Sequence, residues 1–470
     1  MSLYPVYIYH SNDLHSYLEQ WPKVASYFKE REHVHRERHE DALFFDIGDH
    51  ADRVHPVTEG TAGKSNVQLL NATPVHHVTI GNNEGITFSR EDLDALYEEA
   101  NFQVLVANLF DQSGMRPTWS KPYDRIELPE SKLTVGVTAV TAPFTPFYTK
   151  LGWHIVEPTN VLPDILTTLK QTCDVTILLS HLGYPQDEML AARFSELDVI
   201  LGAHTHHLLK TAQEVDGTLI AQAGKHSFYA GQVRLLIDTN TKEIVNKEGG
   251  TVSMKTFKED ETTKQILQEQ EQQADTLLME KITTLDQPLA VDWENPSPLA
   301  DVLVDAVREW CETDFAMINA GLLLDSLASG PVTRMDIHRI CPHPVNPCIL
   351  TVSGAVLKES IHAAFTKRMI HFELKGFGFR GEKLGRMAFS GIEVQIVHAD
   401  DDSERVADIT MQGEPLLSNK MYTLATADMF TFGYLYPGFA QAEQKEYLMP
   451  EMMRDILANK LMKMSDGEGK

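Results

Sequence analysis

Seven residues of the chain combine metal-donor chemistry with a recurring position. They are Asp13 and His15 in D-L-H, Asp49 in G-D, Asn82 in G-N-N-E, His181, and His204 with His206 in H-T-H. Each offers an oxygen or an imidazole nitrogen, a set that suits Zn²⁺, Mn²⁺ or Fe rather than Ca²⁺. Each also falls where a short β-rich apolar run gives way to small or polar residues. A lone Asp or His at a strand end is more often a cap or a satisfied polar group. A series of them in order on successive strands asks for a layered sheet that gathers them at one edge.

The elements needed to do this can be read along the first half. Residues 4–10 form a strand pattern with HSNDLHS as its C-terminal loop. Residues 17–39 form a helix whose His33, His35 and His39 read as a solvated face. ALFFDIGDHAD, VHHVTIGNNEG, VLVANLF, LTVGVTAVTAP, VTILLSHLG, LDVILGAHTHH and LIAQAGKHS repeat the strand-to-loop pattern. Helical stretches such as SREDLDALYEEA and QDEMLAARFSE separate several of them. This rhythm predicts an α/β layered domain with its site at the strand C-terminal ends. QVRLLIDTNTKEI reads as a closing hairpin. Residues 255–287, rich in Glu, Gln and Lys and almost free of Gly and Pro, predict a long exposed helix joining two bodies. The expected division is 1–250, a linker helix within 251–288, and a second α/β domain over 289–470.

A length of 470 residues agrees with two domains. The net charge of −26 argues against duplex nucleic acid or an anionic membrane as partner. It also requires a locally positive site for any anionic substrate, which bound divalent cations would supply. No apolar run is long enough to span a membrane, and MSLYPVYIYHSNDLHS lacks the basic and apolar regions of a signal peptide. Four cysteines without a Cys-x-x-Cys pair read as reduced thiols, so a cytoplasmic location is expected. Cys341 and Cys348, with His343 between them, lack the fourth ligand and the short spacing of a zinc site.

The order D-x-H, G-D, G-N-x-E, H, G-x-H-x-H resembles the calcineurin-like metallophosphoesterase superfamily. The two-part layout resembles its 5′-nucleotidase family over nearly the whole chain. That resemblance implies a four-layer β-sandwich flanked by helices, followed by a 5′-nucleotidase-type α/β domain that binds substrate. It implies one metal on Asp13, His15, Asp49 and His206, and a second on Asp49, Asn82, His181 and His204, with Asp49 bridging. Two cations about 3.5–4 Å apart clamp a phosphoryl group and acidify a water. The implied reaction is attack on phosphorus by a hydroxide bridging Mn²⁺, Zn²⁺ or Fe ions, with a small phosphorylated compound, foremost a nucleotide, as substrate. A monomer or weak homo-oligomer is expected.

The chain also departs from the family pattern. Where the family has G-N-H-E/D with an Asp three residues beyond the His, this chain has Asn83 and Ile86. Asn83, with Asp49 the residue expected to act in catalysis, can donate a hydrogen bond but not a proton. General acid help is typically worth about 10²–10⁴-fold. The neighbouring His50 and His207 are the available substitutes. In the second half Asn319 and Gly321 match the family's substrate loop, but Leu324 stands at its arginine position. The aromatic pair that holds the base aligns near Arg386 and near Met429 or Phe430. Asn319, Gly321, Arg386, Phe430 and Phe432 are therefore the expected substrate contacts, with Arg334, Arg339, Arg380, Phe377, Phe379 and Tyr434 as further candidates. The alternatives are hydrolysis of a nucleotide sugar, another pyrophosphate or a cyclic phosphodiester, or a weakly active nucleotide-binding member.

Overall fold

The computed structural model describes residues 2–398, 404–433 and 435–465. The chain divides into two compact units, Met1–Ala274 and Asp275–Lys470.

In the first unit two sheets lie face to face. A seven-stranded sheet has the parallel strands Leu3–Ser11, Asp41–Asp46, His77–Val78 and Gln103–Leu105 at its centre. A six-stranded sheet is built on the parallel strands Thr134–Thr141, Val175–His181, Val199–Gly202 and Thr218–Ala221. Side chains alternate across each strand. Val6, Ile8, Leu43 and Phe45 from one sheet therefore meet Val137, Ile177, Leu179 and Leu201 from the other in a single buried core. The opposite face of the second sheet offers Leu178, Ile200 and Ile220 to Leu162, Leu166 and Leu169 of the helix Pro158–Thr172. On the outer face of the first sheet, Tyr9 and Phe44 pack with Phe28 of the helix Trp21–Arg38. The result is the expected helix–sheet–sheet–helix order. The helix Trp21–Arg38 carries Pro22 in its first turn, where a missing N–H costs nothing, and closes on His39 in the left-handed conformation. Tyr229–Asp238 and Ile244–Ser253 form the closing hairpin.

The second unit is built on a mixed five-stranded sheet, with a three-stranded and a two-stranded antiparallel sheet beside it in the chain. The order of the five strands is Met387–Ser390, Phe315–Asn319, Met421–Ala427, Pro347–Ser353, Gln444–Tyr447. The helices Pro298–Trp310, Gly354–Ala364 and Met453–Ser465 accompany it.

Two readings of local structure are corrected. Of the stretch 255–287, only Glu261–Leu278 is an α-helix. The β-branched run Lys281–Leu285 instead pairs antiparallel with Gly330–Thr333, inside the second unit. His35 is buried rather than on a solvated face. Its ring stacks on Tyr7 at 4.1 Å, its Nε2 lies 2.7 Å from the Tyr9 hydroxyl, and its Nδ1 lies 2.8 Å from Glu40. No helix among the described residues is long and apolar enough to cross a membrane.

Candidate metal centre

The seven donors stand at the C-terminal ends of the parallel strands of both sheets. Asp13 and His15 follow Leu3–Ser11, Asp49 follows Asp41–Asp46, Asn82 follows His77–Val78, His181 ends Val175–His181, and His204 and His206 follow Val199–Gly202. The loops are stitched to each other beyond the strand ladders. Ile47 N donates to Ser11 O, Asp13 N to Gly48 O, and His15 N to Asp49 O, at 2.8–3.0 Å. Asp13, His15, Asp49, His204 and His206 all hold φ between 49° and 75°. Non-glycine residues in that region store strain and persist only where their surroundings over-determine them. Here the cross-loop hydrogen bonds and packing do so, and the concentration of strain marks the site.

Among the described residues, two groups have donor atoms mutually within 4.8 Å: Asp13, His15 and His206, and Asp49, His181 and His204. Asp49 Oδ2 joins them, 3.6 Å from His15 Nε2 and 3.3 Å from His181 Nε2. Asp13 Oδ1 lies 3.5 Å from His206 Nε2 and 3.9 Å from His181 Nε2. His15 Nε2 and His206 Nε2 face each other at 3.0 Å. His181 Nε2 and Asn82 Oδ1 are buried yet make no hydrogen bond with any described residue. Buried polar atoms left this way cost free energy unless a partner is supplied. A divalent cation between these lone pairs is such a partner, so the donor set fits metal ions.

The electrostatics of the groups follow from burial and mutual charge. Burial opposes a charge on His181, but the Asp49 and Asp13 carboxylates outweigh it and hold its pKa up at about 10. Burial likewise resists ionisation of Asp49, yet His181 and His15 keep its carboxyl well below the usual range. Burial and neighbouring cationic histidines lower His204 to about 4 and His206 to about 3, so both are neutral, whereas His181 must give up its Nε2 proton to a cation that takes its place beside Asp49.

Several residues beyond the seven donors hold this arrangement. Asp52 Oδ2 lies 3.2 Å from His15 Nδ1. Glu84 accepts from Asp49 N, Ala51 N and Gly81 N at 2.7–2.9 Å, which fixes the Asp49 loop against the Asn82 loop. Asn12 donates to Asp13 Oδ2 at 2.7 Å, and Ile47 O lies 2.6 Å from His181 Nδ1. The spacings G-D-x-x-D and N-D-x-H carried Asp52 and Asn12 in the sequence. Nothing in the sequence spoke for Ile47, whose part is played by its backbone.

Asn83 lies between the Asp49 carboxylate and the His15 ring. Its backbone N donates to Asp49 Oδ1 at 2.8 Å, and its amide lies 2.8 Å from His15 Nδ1. The two candidate substitute acids stand in different surroundings. His50 is buried edge-on against Trp21, its Nδ1 lies 3.2 Å from the Asn66 amide, and burial drives its pKa down to about 3. His207 is exposed and packs on Tyr184, with Nδ1 2.8 Å from the Thr205 hydroxyl.

The residues expected to contact substrate in the second unit have the following surroundings. Asn319 is buried and donates to Leu384 O at 2.8 Å. A Cβ at Gly321 would stand 2.1 Å from Lys383 O, so glycine there serves close backbone approach. Arg386 is 8% exposed, pairs with Glu404 and lies over the Phe365 ring. Phe430 is fully buried against Tyr436. Phe379 is also buried, stacked on His343. Phe432 stacks on the exposed Phe377 at 5.9 Å and on Tyr447 at 6.1 Å. Arg334 and Arg339 pair with Glu280 and Asp325, and the Arg380 backbone N donates to His343. Tyr434 lies outside the described residues. Cys173, Cys311, Cys341 and Cys348 are unpaired. No metal-type group forms at Cys341, His343 and Cys348 among the described residues.

Comparison with known proteins agrees with this geometry. Residues 6–208 match the calcineurin-like phosphoesterase family, and residues 280–437 match the 5′-nucleotidase C-terminal domain family. The chain is 43% identical over 455 residues to the uncharacterized metallophosphoesterase YunD of Bacillus subtilis (strain 168), covering 97% of this chain and 98% of the relative. Its fold is similar to that of the NAD nucleotidase of Haemophilus influenzae, with a TM-score of 0.69, 16% identity, and coverage of 99% and 97% of the two chains. It is also similar to a 5′-nucleotidase precursor from Thermus thermophilus, with a TM-score of 0.60, 19% identity, and coverage of 98% and 97%. The chain therefore belongs to the metallophosphoesterases that join a calcineurin-like phosphoesterase domain to a 5′-nucleotidase C-terminal domain, and it is a phosphoester hydrolase of that family.

Proposed function

We propose that the chain is a dinuclear enzyme that hydrolyses nucleotide monophosphates in the cytoplasm. The observation that carries this reading is Asp49 Oδ2, set between His15 Nε2 and His181 Nε2 at 3.6 and 3.3 Å. In this reading Asp13, His15, Asp49 and His206 hold one ion, and Asp49, Asn82, His181 and His204 the other. The donor set favours Mn²⁺, Zn²⁺ or Fe. Such ions, when bound, polarise the phosphoryl oxygens and lower the pKa of water.

The chain's own residues orient and hold. Ile47 O fixes the His181 ring so that Nε2 points into the centre. Asp52 does the same for His15. Asn83 N pins Asp49 Oδ1 and leaves Oδ2 for the shared position. Position 83 supplies no proton to the departing oxygen, which favours leaving groups that depart as stable anions. That chemistry supports a second reading, hydrolysis of a nucleotide sugar or other pyrophosphate, whose phosphate leaving group needs little protonation. Four unpaired cysteines support a reducing compartment.

The test is turnover of nucleoside monophosphates, cyclic nucleotides and nucleotide sugars with Mn²⁺ or Zn²⁺ present, for the parent and for Asp49→Asn. The parent is expected to cleave monophosphates fastest, and the variant to lose both activity and bound metal. No turnover of any ester by a chain with full metal content would end the reading. Faster cleavage of nucleotide sugars would replace it with the second.

A further inference from the structure

The loop after the strand Thr218–Ala221 is tied to the candidate metal centre at three points. Ala223 N donates to Asn12 Oδ1 at 3.1 Å, Asn12 Nδ2 donates to Gly224 O at 2.6 Å, and His226 N donates to Asp13 O at 2.8 Å. His226 and Ser227 both hold left-handed φ, 59° and 52°, as the centre's own residues do. Strain at two consecutive non-glycine residues persists only where the surroundings impose it. What it achieves here is the position of two rings. The His226 ring lies parallel to Tyr17, with centroids 5.1 Å apart and planes at 14°. Phe228 stands 5.6 Å from Tyr17 and 6.0 Å from His226. His226 also meets His15 edge-on at 6.1 Å.

This cluster is not core. Tyr17 is 43% exposed and Phe228 is 46% exposed. Single exposed apolar residues need no explanation, but two large rings grouped at the rim of a polar centre form an open aromatic surface. Aromatic faces accept planar π-systems of many kinds, because every such ring has a face to stack. The cluster adjoins the donor group through the His15–His226 contact, so a ligand held at His15 by its phosphoryl group, with a ring attached directly or through one sugar, has this surface beside it.

We propose that Tyr17, His226 and Phe228 form an aromatic platform of the catalytic unit that binds the planar ring of the group esterified to phosphate. The ligand class is an aryl or nucleoside phosphate. The proposal rests on the phosphoesterase reading and adds to it the means by which ring-bearing substrates are preferred.

The test compares the metal-loaded full chain with Tyr17→Leu, Phe228→Leu and Tyr17→Phe on three esters: 4-nitrophenyl phosphate, adenosine monophosphate and glycerol phosphate. The readout is the ratio of kcat/KM for each ring-bearing ester to that for glycerol phosphate. Both leucine variants are expected to lower the ratio by about 5- to 100-fold, chiefly through KM, the range that loss of one stacking partner gives. Tyr17→Phe keeps a ring and is expected to restore the ratio. The aryl and nucleoside arms show whether the ring is held close to phosphorus or one sugar away. A ratio within twofold of the parent in both leucine variants overturns the platform. So does an equal loss on all three esters, which would mark a structural role. Equilibrium dialysis with adenosine gives a readout without turnover. If the parent cleaves no ester but binds adenosine, and the leucine variants do not, the hydrolase reading fails while the platform stands.

Discussion

The Asp52 carboxylate and the Asn83 amide converge on one atom, His15 Nδ1, at 3.2 and 2.8 Å. If His15 Nε2 takes a metal, Nδ1 carries the ring's proton, and both neighbours accept it, Asn83 by turning its Oδ1 inward. The pair then fixes the tautomer and the ring plane, a service whose loss typically costs 10–100-fold in metal affinity. Asp52→Asn is expected to weaken metal binding by about that factor, read by competition with a chromophoric chelator. Asn83→Ala is expected to do the same to a smaller degree. A variant at position 83 that keeps its metal affinity but loses turnover would show instead that Asn83 meets the phosphoryl group. The seven donors were legible because residue type and strand-end position coincide at each. The roles of the orienting shell were not, because Asp52 and Glu84, though they stand in recurring motifs, and Ile47, which has no signal at all, act through where the loops bring them. The difference between His35, buried, and His33 and His39, exposed, was hidden for a related reason. Helical spacing gives the face, but a ring stack on Tyr7 and a bond to Glu40 decide which histidine is covered.

The elements hold the donors through two loops that touch with almost no clearance. A Cβ at Gly48, where φ is +82°, would stand 2.3 Å from Gly81 N, and a Cβ at Gly81 would stand 2.0 Å from Asp49 Oδ1. Glu84 closes the contact by accepting three backbone N–H groups from both loops. Gln at position 84 keeps one acceptor oxygen and turns an NH₂ group toward a backbone donor, leaving a buried N–H unpaired. Glu84→Gln is expected to cost about 1–3 kcal/mol of stability in denaturant titrations. It should also lower metal occupancy, since the Asp49 loop loses its brace. Gly81→Ala is expected to displace the Asp49 carboxylate and abolish metal binding while the two-sheet core keeps its circular dichroism. Retained metal in Gly81→Ala would contradict the close packing of these loops. Strands were readable from apolar runs ending in polar residues. The helix over 255–287 was overextended because its polar composition, poor in Gly and Pro, carries no stop signal. The partner strand Gly330–Thr333, which captures Lys281–Leu285, lies nearly fifty residues away in the sequence and leaves no local trace.

Over the whole molecule, pH acts on stability through charge and through buried carboxyls that stay neutral. The net charge of −26 at pH 7 was plain in the composition, and its self-repulsion favours the unfolded chain as acids ionise. The second contribution was not legible, because it depends on which acids the fold buries. Burial raises Asp428 from 3.8 to about 8, and one of its oxygens makes no hydrogen bond with any described residue. Burial raises Asp187 to about 7, only partly offset by bonds from Ser180 and Gln222. Their folded values lie above the unfolded ones. Between about pH 4 and pH 8 the folded chain therefore retains protons that the unfolded chain has released, and stability falls as pH rises through that window. Each retained proton tilts stability by at most about 1.4 kcal/mol per pH unit. Salt separates the two contributions, since it screens exposed charges at a Debye length of about 10 Å or less but leaves a buried carboxyl untouched. In high salt the parent is expected to lose melting temperature between pH 5 and pH 8, and Asp428→Asn to lose less. Asn matches the neutral carboxylic acid in shape and has no proton to release, so its advantage should be smallest near pH 4 and grow steadily to a few degrees at pH 8. A variant whose melting temperature tracks the parent at every pH would mean that Asp428 stays ionised in the folded chain.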